Sequence, residues 1–252
     1  MVHRSTLADY LAELLDVAAI GDYCPNGLQV EGRAEIRRLI SGVTASQRFL
    51  AAAIEAGADA VLVHHGYFWK GEPAPLTGMK AARVRMLFAH ELNLFAYHLP
   101  LDVHPQLGNN AWLGRLLGVA AQPPVAAGGT PGLLWHGELP AEETAEALAG
   151  RLGDALGRAP LVVGNGPAEI RRIAWCSGGA QGLVTQAAEL GVDAYLSGEI
   201  SEPTAHVARE AGLHYFAAGH HATERGGVQA LGAHLAERFG IEHRFIDDDN
   251  PA

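Results

Sequence analysis

Two stretches of this chain repeat one design at a fixed distance. Glu55-Ala56-Gly57-Ala58-Asp59-Ala60-Val61-Leu62 is mirrored by Glu189-Leu190-Gly191-Val192-Asp193-Ala194-Tyr195-Leu196, at a constant offset of 134 positions. In each copy a run of good helix formers ends at a glycine, the residue that most easily caps a helix C-terminus. An aspartate then leads into an apolar run that reads as a buried strand. Before the first copy, Ile36 to Gly42 reads as a strand and Ser46 to Ala56 as a helix. Before the second, Ile173 to Gly179 reads as a strand with a tight turn, and Leu183 to Leu190 as a helix. Each copy is therefore a β-α-β unit, which predicts parallel strands covered by helices. Any two such units share a helix, a glycine cap and an apolar strand. The constant offset, with Ser41-Gly42 and Ser177-Gly178 matching loosely, makes internal duplication the reading adopted.

A third strand follows in both halves. Leu92 to Ala96 precedes Tyr97-His98-Leu99-Pro100-Leu101-Asp102, and Leu213 to Ala217 precedes Ala218-Gly219-His220-His221-Ala222-Thr223-Glu224. Polar groups thus sit just past comparable strands, where open α/β sheets place their chemistry. The expected fold class is α/β: two related α/β lobes with mostly parallel or mixed sheets, covered by helices, their strand ends facing a common cleft. Residues 1–125 form the expected first lobe, with an N-terminal helix over Leu7 to Leu15 and a turn-rich segment from Gly21 to Gly27. Residues 126–252 form the expected second lobe, after a Pro- and Gly-rich linker from Pro123 to Gly132. That lobe would hold an inserted strand (Leu133 to Glu138), a helix (Ala141 to Leu156), a C-terminal helix (Gln229 to Phe239) and a last strand (His243 to Ile246).

Composition narrows the function classes. A chain of 252 residues can bury one large core or two modest ones. A net charge of -10 with no basic block argues against general nucleic-acid binding, though not against a nucleotide. The apolar runs fall well short of the roughly 20 residues of a membrane helix, and Met1-Val2-His3-Arg4-Ser5 does not open a signal peptide. Two cysteines, Cys24 and Cys176, suit a reducing compartment, so a cytoplasmic location is expected. Thirteen histidines invite a metal reading.

The candidate ligands lie at the strand ends. Ala60-Val61-Leu62-Val63 runs straight into His64-His65-Gly66; Asp102 follows the third strand of the first half, and His220 and Glu224 that of the second. If the segment after Gly219 is helical, His220 and Glu224 share a face and His221 points elsewhere. Adjacent strand residues face opposite ways, so His64 and His65 would reach one point only if Gly66 breaks the strand, or else serve two different ions. Three imidazoles and two carboxylates are too many for one structural zinc and too few to close two sites, which fits two divalent ions with open positions. Singly, each residue also has an ordinary reading: a strand-end histidine, a helix cap at Asp102, a solvated carboxylate at Glu224. His98 and Glu199 are weaker candidates for orienting a ligand or relaying a proton. Tyr67, Phe68, Trp69 and Lys70 would form either a pocket wall or core packing. The glycine-rich pieces match no phosphate-loop or dinucleotide fingerprint.

With these residues on the page, the chain resembles the NIF3-like family, in its short bacterial form. The likeness spans nearly the whole sequence. It rests on Asp22-Tyr23-Cys24-Pro25-Asn26-Gly27-Leu28-Gln29-Val30, the stretch Gly57 to Gly66, the segment Tyr97 to Asp102 and the segment Ala218 to Glu224. Phe68-Trp69-Lys70-Gly71 and Gly178-Gly179 fit as well. The resemblance implies a dinuclear centre of iron, zinc or manganese, with His65 and Asp102 on one ion, His64 and His220 on the other, and Glu224 bridging. It also implies a toroidal hexamer, a trimer of dimers. The expected function is a metal-dependent hydrolase using an activated water on a small nucleotide-like or phosphorylated substrate; purine ring opening of the cyclohydrolase type is one version. The alternative is a regulatory or metal-delivery protein without turnover.

Overall fold

The computed structural model describes all 252 residues and divides them into two compact units. The first comprises Met1–Gly108 with Gly227–Asp249, the second Asn109–Gly226 with Asn250–Ala252.

In the first unit a five-stranded sheet runs in the order Glu242–Phe245, Arg38–Thr44, Ala60–His65, Asn93–Ala96, Gly27–Val30. The first four strands are parallel and the last is antiparallel. Alternate residues supply two cores, as the pleat requires. Leu39, Leu62 and Phe95 pack with Leu7 and Leu11 of the helix Arg4–Leu14 and with Val228, Leu231 and Leu235 of the C-terminal helix. Their strand neighbours Ile40, Val61, Val63 and Leu94 pack with Phe49, Leu50 and Ala53 of the helix Gln47–Glu55 and with Val84 and Leu87 of the helix Gly78–Ala89. Burial on both faces is why Val61-Leu62-Val63 is apolar without alternation.

In the second unit the sheet order is Leu161–Gly164, His214–Ala217, Ala194–Ser197, Ile170–Trp175, Thr130–Glu143, Ala120–Ala121, with Val125–Ala127 also on Thr130–Glu143. Ile170–Trp175, Ala194–Ser197 and His214–Ala217 are parallel. Trp175, Leu196 and Phe216 face Leu148, Leu152 and Leu156 of the helix Ala145–Leu156, while Ala174, Tyr195 and Tyr215 face a second core.

The duplication extends beyond the matched octapeptides. Asp59 Oδ2 accepts the backbone N–H groups of Arg37 (2.8 Å) and Arg38 (2.9 Å). Asp193 Oδ2 accepts those of Arg171 (3.0 Å) and Arg172 (2.7 Å), all at the same offset of 134. Each aspartate thereby ties the start of one strand to the loop entering the next. Gly57 and Gly191 both hold the left-handed conformation, φ 71° and 68°, that closes the preceding helix. In both units an antiparallel strand earlier in the chain pairs with the third parallel strand: Gly27–Val30 with Asn93–Ala96, and Leu161–Gly164 with His214–Ala217.

The compact units do not divide at 125/126. The C-terminal helix and the strand Glu242–Phe245 belong with the first unit, because that strand completes its sheet beside Arg38–Thr44 and the helix fills its core. The stretch read as a linker instead contains Val125–Ala127, paired with the long strand Thr130–Glu143. The helices Gly78–Ala89 and Glu202–Glu210 and the short edge strands Gly27–Val30 and Leu161–Gly164 were not foreseen.

Two outcomes test this packing. Leu231→Ala removes a fully buried side chain from the first unit and is expected to cost about 2–5 kcal/mol in urea denaturation. His243, whose Nε2 lies 2.8 Å from Ser41 Oγ, is held below its ordinary value of 6.5 by burial. The unfolded chain therefore binds its proton more readily, so this stability is present above about pH 6.5 and lost as pH falls below it. A pH series of melting temperatures should show that acid-side loss, reduced in His243→Gln.

Candidate metal centre

In the first unit the strand Ala60–His65 ends on its two histidines. Gly66 follows because a Cβ there would meet Gln29 Oε1 at 2.2 Å and Ala96 Cβ at 2.5 Å. His64 is fully buried, and its Nδ1–H donates to the Tyr97 carbonyl at 2.9 Å. That bond turns Nε2 toward Asp102, whose Oδ2 lies 3.5 Å away on the buried short helix Leu99–Val103. His65 Nδ1 lies 3.2 Å from Thr44 Oγ1. The pleat does not hold the two rings apart: their centroids are 4.7 Å apart at the strand end. His98 joins them, and one ligand atom from each of His64, His65 and His98 lies within 4.8 Å of the others.

His98 is itself fixed. Its Nδ1–H donates to Asp22 Oδ1 at 3.0 Å, while Asp22 Oδ2 accepts from the Leu99 N–H and Asn26 Oδ1 from the His98 N–H. Burial alone would raise the Asp22 carboxyl, but the hydrogen bond and charge of His98, with Asn26 and Leu99, hold it at about 2. Burial, followed by the charge of Asp22, pushes the Cys24 thiol up to about 12. A thiol so hard to ionise is a poor nucleophile.

In the second unit Gly219 leaves the strand His214–Ala217 at φ 99° and opens the short helix His220–Thr223. His220 Nε2 lies 3.2 Å from Glu224 Oε1, so the expected four-residue spacing does put both groups on one side. His221 is buried separately, its N–H donating to the Ala252 carbonyl. The short helix breaks at Glu224, and Arg225–Phe239 begins directly after it with Gly226 and Gly227 in its first turn. Gly226 makes room for the Trp112 ring, 2.0 Å from where a Cβ would stand.

His220 Nδ1–H donates to Glu199 Oε1 at 2.7 Å, and Gln181 Nε2 donates to Glu199 Oε2 at 3.2 Å. Burial pulls the His220 imidazolium down, but Glu224 and Glu199 outweigh it and raise the group to about 9. Above the pair, Gly178 (φ 64°) leaves room that a Cβ would fill, 2.1 Å from Glu224 Oε1 and 3.1 Å from His220 Nε2.

Each unit thus carries an imidazole whose Nδ1–H is committed to a protein acceptor while its Nε2 faces a buried carboxylate. A neutral Nε2 lone pair opposite a carboxylate repels it, and either a proton or a cation relieves that. The arrangement is the one proteins use to present histidine to a metal, and the oxygen and imidazole donors suit first-row divalent ions. The residues fit the group.

The sequence reading missed Asp22, Thr44 and the Tyr97 carbonyl, and left Gly178 without a role. Asp22 stood in a recognised motif, but its partner lies 76 residues on. Of the aromatic segment, Tyr67 is buried with its hydroxyl donating to the Ala45 carbonyl, whereas Phe68 is exposed and Trp69 lies against His65 and His98.

Comparison with known proteins places the chain in a family. The profile of the Duf34/NIF3 (NGG1p interacting factor 3) family matches residues 2–251. The chain belongs to that family. Among relatives in the Duf34/NIF3 family, the Pseudomonas aeruginosa protein named GTP cyclohydrolase 1 type 2 homolog is 56% identical over 248 residues, covering 98% of both chains. The protein of that name from Escherichia coli K12 is 50% identical over 250 residues, covering 99% of both. Among solved structures, a structural-genomics protein, ybgI, of unknown function superposes with a TM-score of 0.96 at 49% identity, covering all of both chains. TTHA1606 from Thermus thermophilus reaches 0.90 at 35% identity, also over all of both chains. No helix is long and apolar enough to cross a membrane.

Two measurements follow. Glu199→Gln keeps the size of the His220 partner but not its charge, and should lower metal affinity by about 10–100-fold in a chelator-competition titration. Because His220 holds its proton to about pH 9, a metal arriving below that pH must displace it. Metal affinity should then rise about ten-fold per pH unit below 9 for that proton.

Proposed function

We propose that this protein is a metal-dependent hydrolase with a dinuclear centre, acting on a small nucleotide-like or phosphorylated substrate. The observation that carries the reading is the pair of imidazole–carboxylate couples, His64 with Asp102 and His220 with Glu224, each built on a buried carboxylate. Family membership supports their serving a common pair of iron, zinc or manganese ions. In the ligand set we favour, His64 and Asp102 bind one ion, His65 and His220 the other, and Glu224 bridges. This departs from the pairing that the resemblance implied, because Asp102 stands beside Nε2 of His64. A pair of divalent ions would supply Lewis acidity and lower the pKa of water.

The chain's own residues do the rest. The Tyr97 carbonyl and Glu199 hold Nδ1–H of His64 and His220, which keeps both Nε2 atoms aimed at their carboxylates. Asp22, ionised, holds Nδ1–H of His98 and so fixes that ring beside the imidazole pair. Gly178 lets its backbone lie close against Glu224 and His220, where a Cβ would clash. A hexameric ring, which the family resemblance implies, and a cytoplasmic location, which the two cysteines suit, belong to the same proposal.

Elemental analysis coupled to a hydrolysis screen over nucleotides and phosphoesters tests the reading. Two ions per chain and a turnover lost in His64→Ala and Glu224→Ala are expected, with Glu224→Ala falling to one ion or none. Firm metal binding with no turnover across the panel would instead favour a metal-delivery role. Sedimentation should give six chains per particle.

A further inference from the structure

The turn Asp22 to Asn26 places one large ring where folding alone gives it little to do. Tyr23 is 53% exposed and, like Trp69, belongs to none of the hydrophobic cores. The segments that carry both rings are nevertheless tied down. The Tyr23 N–H donates to Asp22 Oδ1 at 2.7 Å, and the Tyr23 carbonyl accepts the Lys70 N–H at 2.7 Å. Trp69 Nε1–H donates to the Gly66 carbonyl at 3.2 Å, so the indole's polar atom is committed to the backbone.

The rings form a strip that begins at the candidate metal ligands. Trp69 lies 5.9 Å from His65 and 5.0 Å, edge-on, from His98; Tyr23 lies 5.6 Å from Trp69 and 5.1 Å, edge-on, from His98. A spacing of 5.6 Å leaves no room for another ring between Tyr23 and Trp69, so a ligand would lie on their outer faces. Flat aromatic surface, its indole N–H already committed, suits a planar π-system, and every nucleobase offers one. A flexible aliphatic chain would call for a deeper apolar slot.

We propose that Tyr23 and Trp69 form the stacking surface for a planar heteroaromatic ring, a nucleobase, of the substrate whose reacting group lies at the His65 end of the strip. This deepens, and rests on, the reading of the neighbouring imidazoles as a metal centre. Tyr23 and Trp69 decide which substrate is held; they take no part in the reaction itself.

The test compares two probes on the metal-loaded protein, guanosine 5′-monophosphate and ribose 5-phosphate, by calorimetry and tryptophan fluorescence. The nucleotide is expected to bind about ten-fold more tightly than the sugar phosphate, and Tyr23→Ala or Trp69→Ala to remove about ten-fold of that preference. Ribose 5-phosphate binding should not move. Tyr23→Phe and Trp69→Phe, which keep a ring, should retain the preference, and this separates stacking from a general loss of structure. Equal affinity for the two probes, binding of neither, or alanine variants as selective as the parent would overturn the proposal. Guanosine, which lacks a phosphate, titrated against metal-depleted protein reads the strip alone. Quenching there with no metal uptake would sink the metal centre and leave the stacking surface standing; two ions per chain without quenching would do the reverse.

Discussion

The bond from His64 Nδ1 to the Tyr97 carbonyl ties the site to the sheet. His64 ends one parallel strand, and Tyr97 follows the neighbouring one, its own N–H donating to the Val63 carbonyl at 3.0 Å. The ladder that pairs the strands therefore delivers both the imidazole and the acceptor that sets its tautomer. A slip of one residue would turn His64 to the opposite face and remove the acceptor together. Nε2 is left facing Asp102, and the charge problem this creates inside a buried site is one that a proton or a cation resolves. The second unit reaches the same state by a side chain. Glu199 follows the strand Ala194–Ser197, and backbone bonds from Ala218 to Ser197 and from Gly219 to Gly198 hold His220 beside it.

The two units show a scaffold retained at one end and varied at the other. At the entry to the strands Asp59 and Asp193 make the same pair of backbone bonds. At the exit the equivalent positions diverge: His65 and Glu199 are 134 apart, yet one is a candidate ligand and the other holds the ring of a candidate ligand, His220. Strand exits tolerate this because loops there carry few packing obligations, whereas a lost clamp would leave backbone N–H groups without acceptors.

Much of this was legible in the chain. The parallel strands announced themselves as apolar runs bounded by glycine and aspartate, and the five candidate ligands stood at their ends. His220 and Glu224 could be paired because helical spacing is a local property. Asp22 with His98 could not, since residues 76 apart meet only through the antiparallel docking of Gly27–Val30 beside Asn93–Ala96. Short edge strands escaped notice because four residues without alternation carry no periodic signal. The C-terminal helix was placed in the wrong lobe because an amphipathic stripe records that a face is buried, not which core receives it.

The sequence by itself determined the parallel strands, the doubled β-α-β plan, the donor chemistry and the family, since each is written in local periodicity or in ordered motifs. Tertiary structure decided which imidazole faces which carboxylate, which groups hold the ring protons, and which unit gains the last helix and strand. Those choices depend on sheet register and on contacts between residues far apart in the chain. It also showed that the aromatic segment splits, Tyr67 into the core and Trp69 toward the imidazoles, because only the folded backbone says which way neighbouring side chains point.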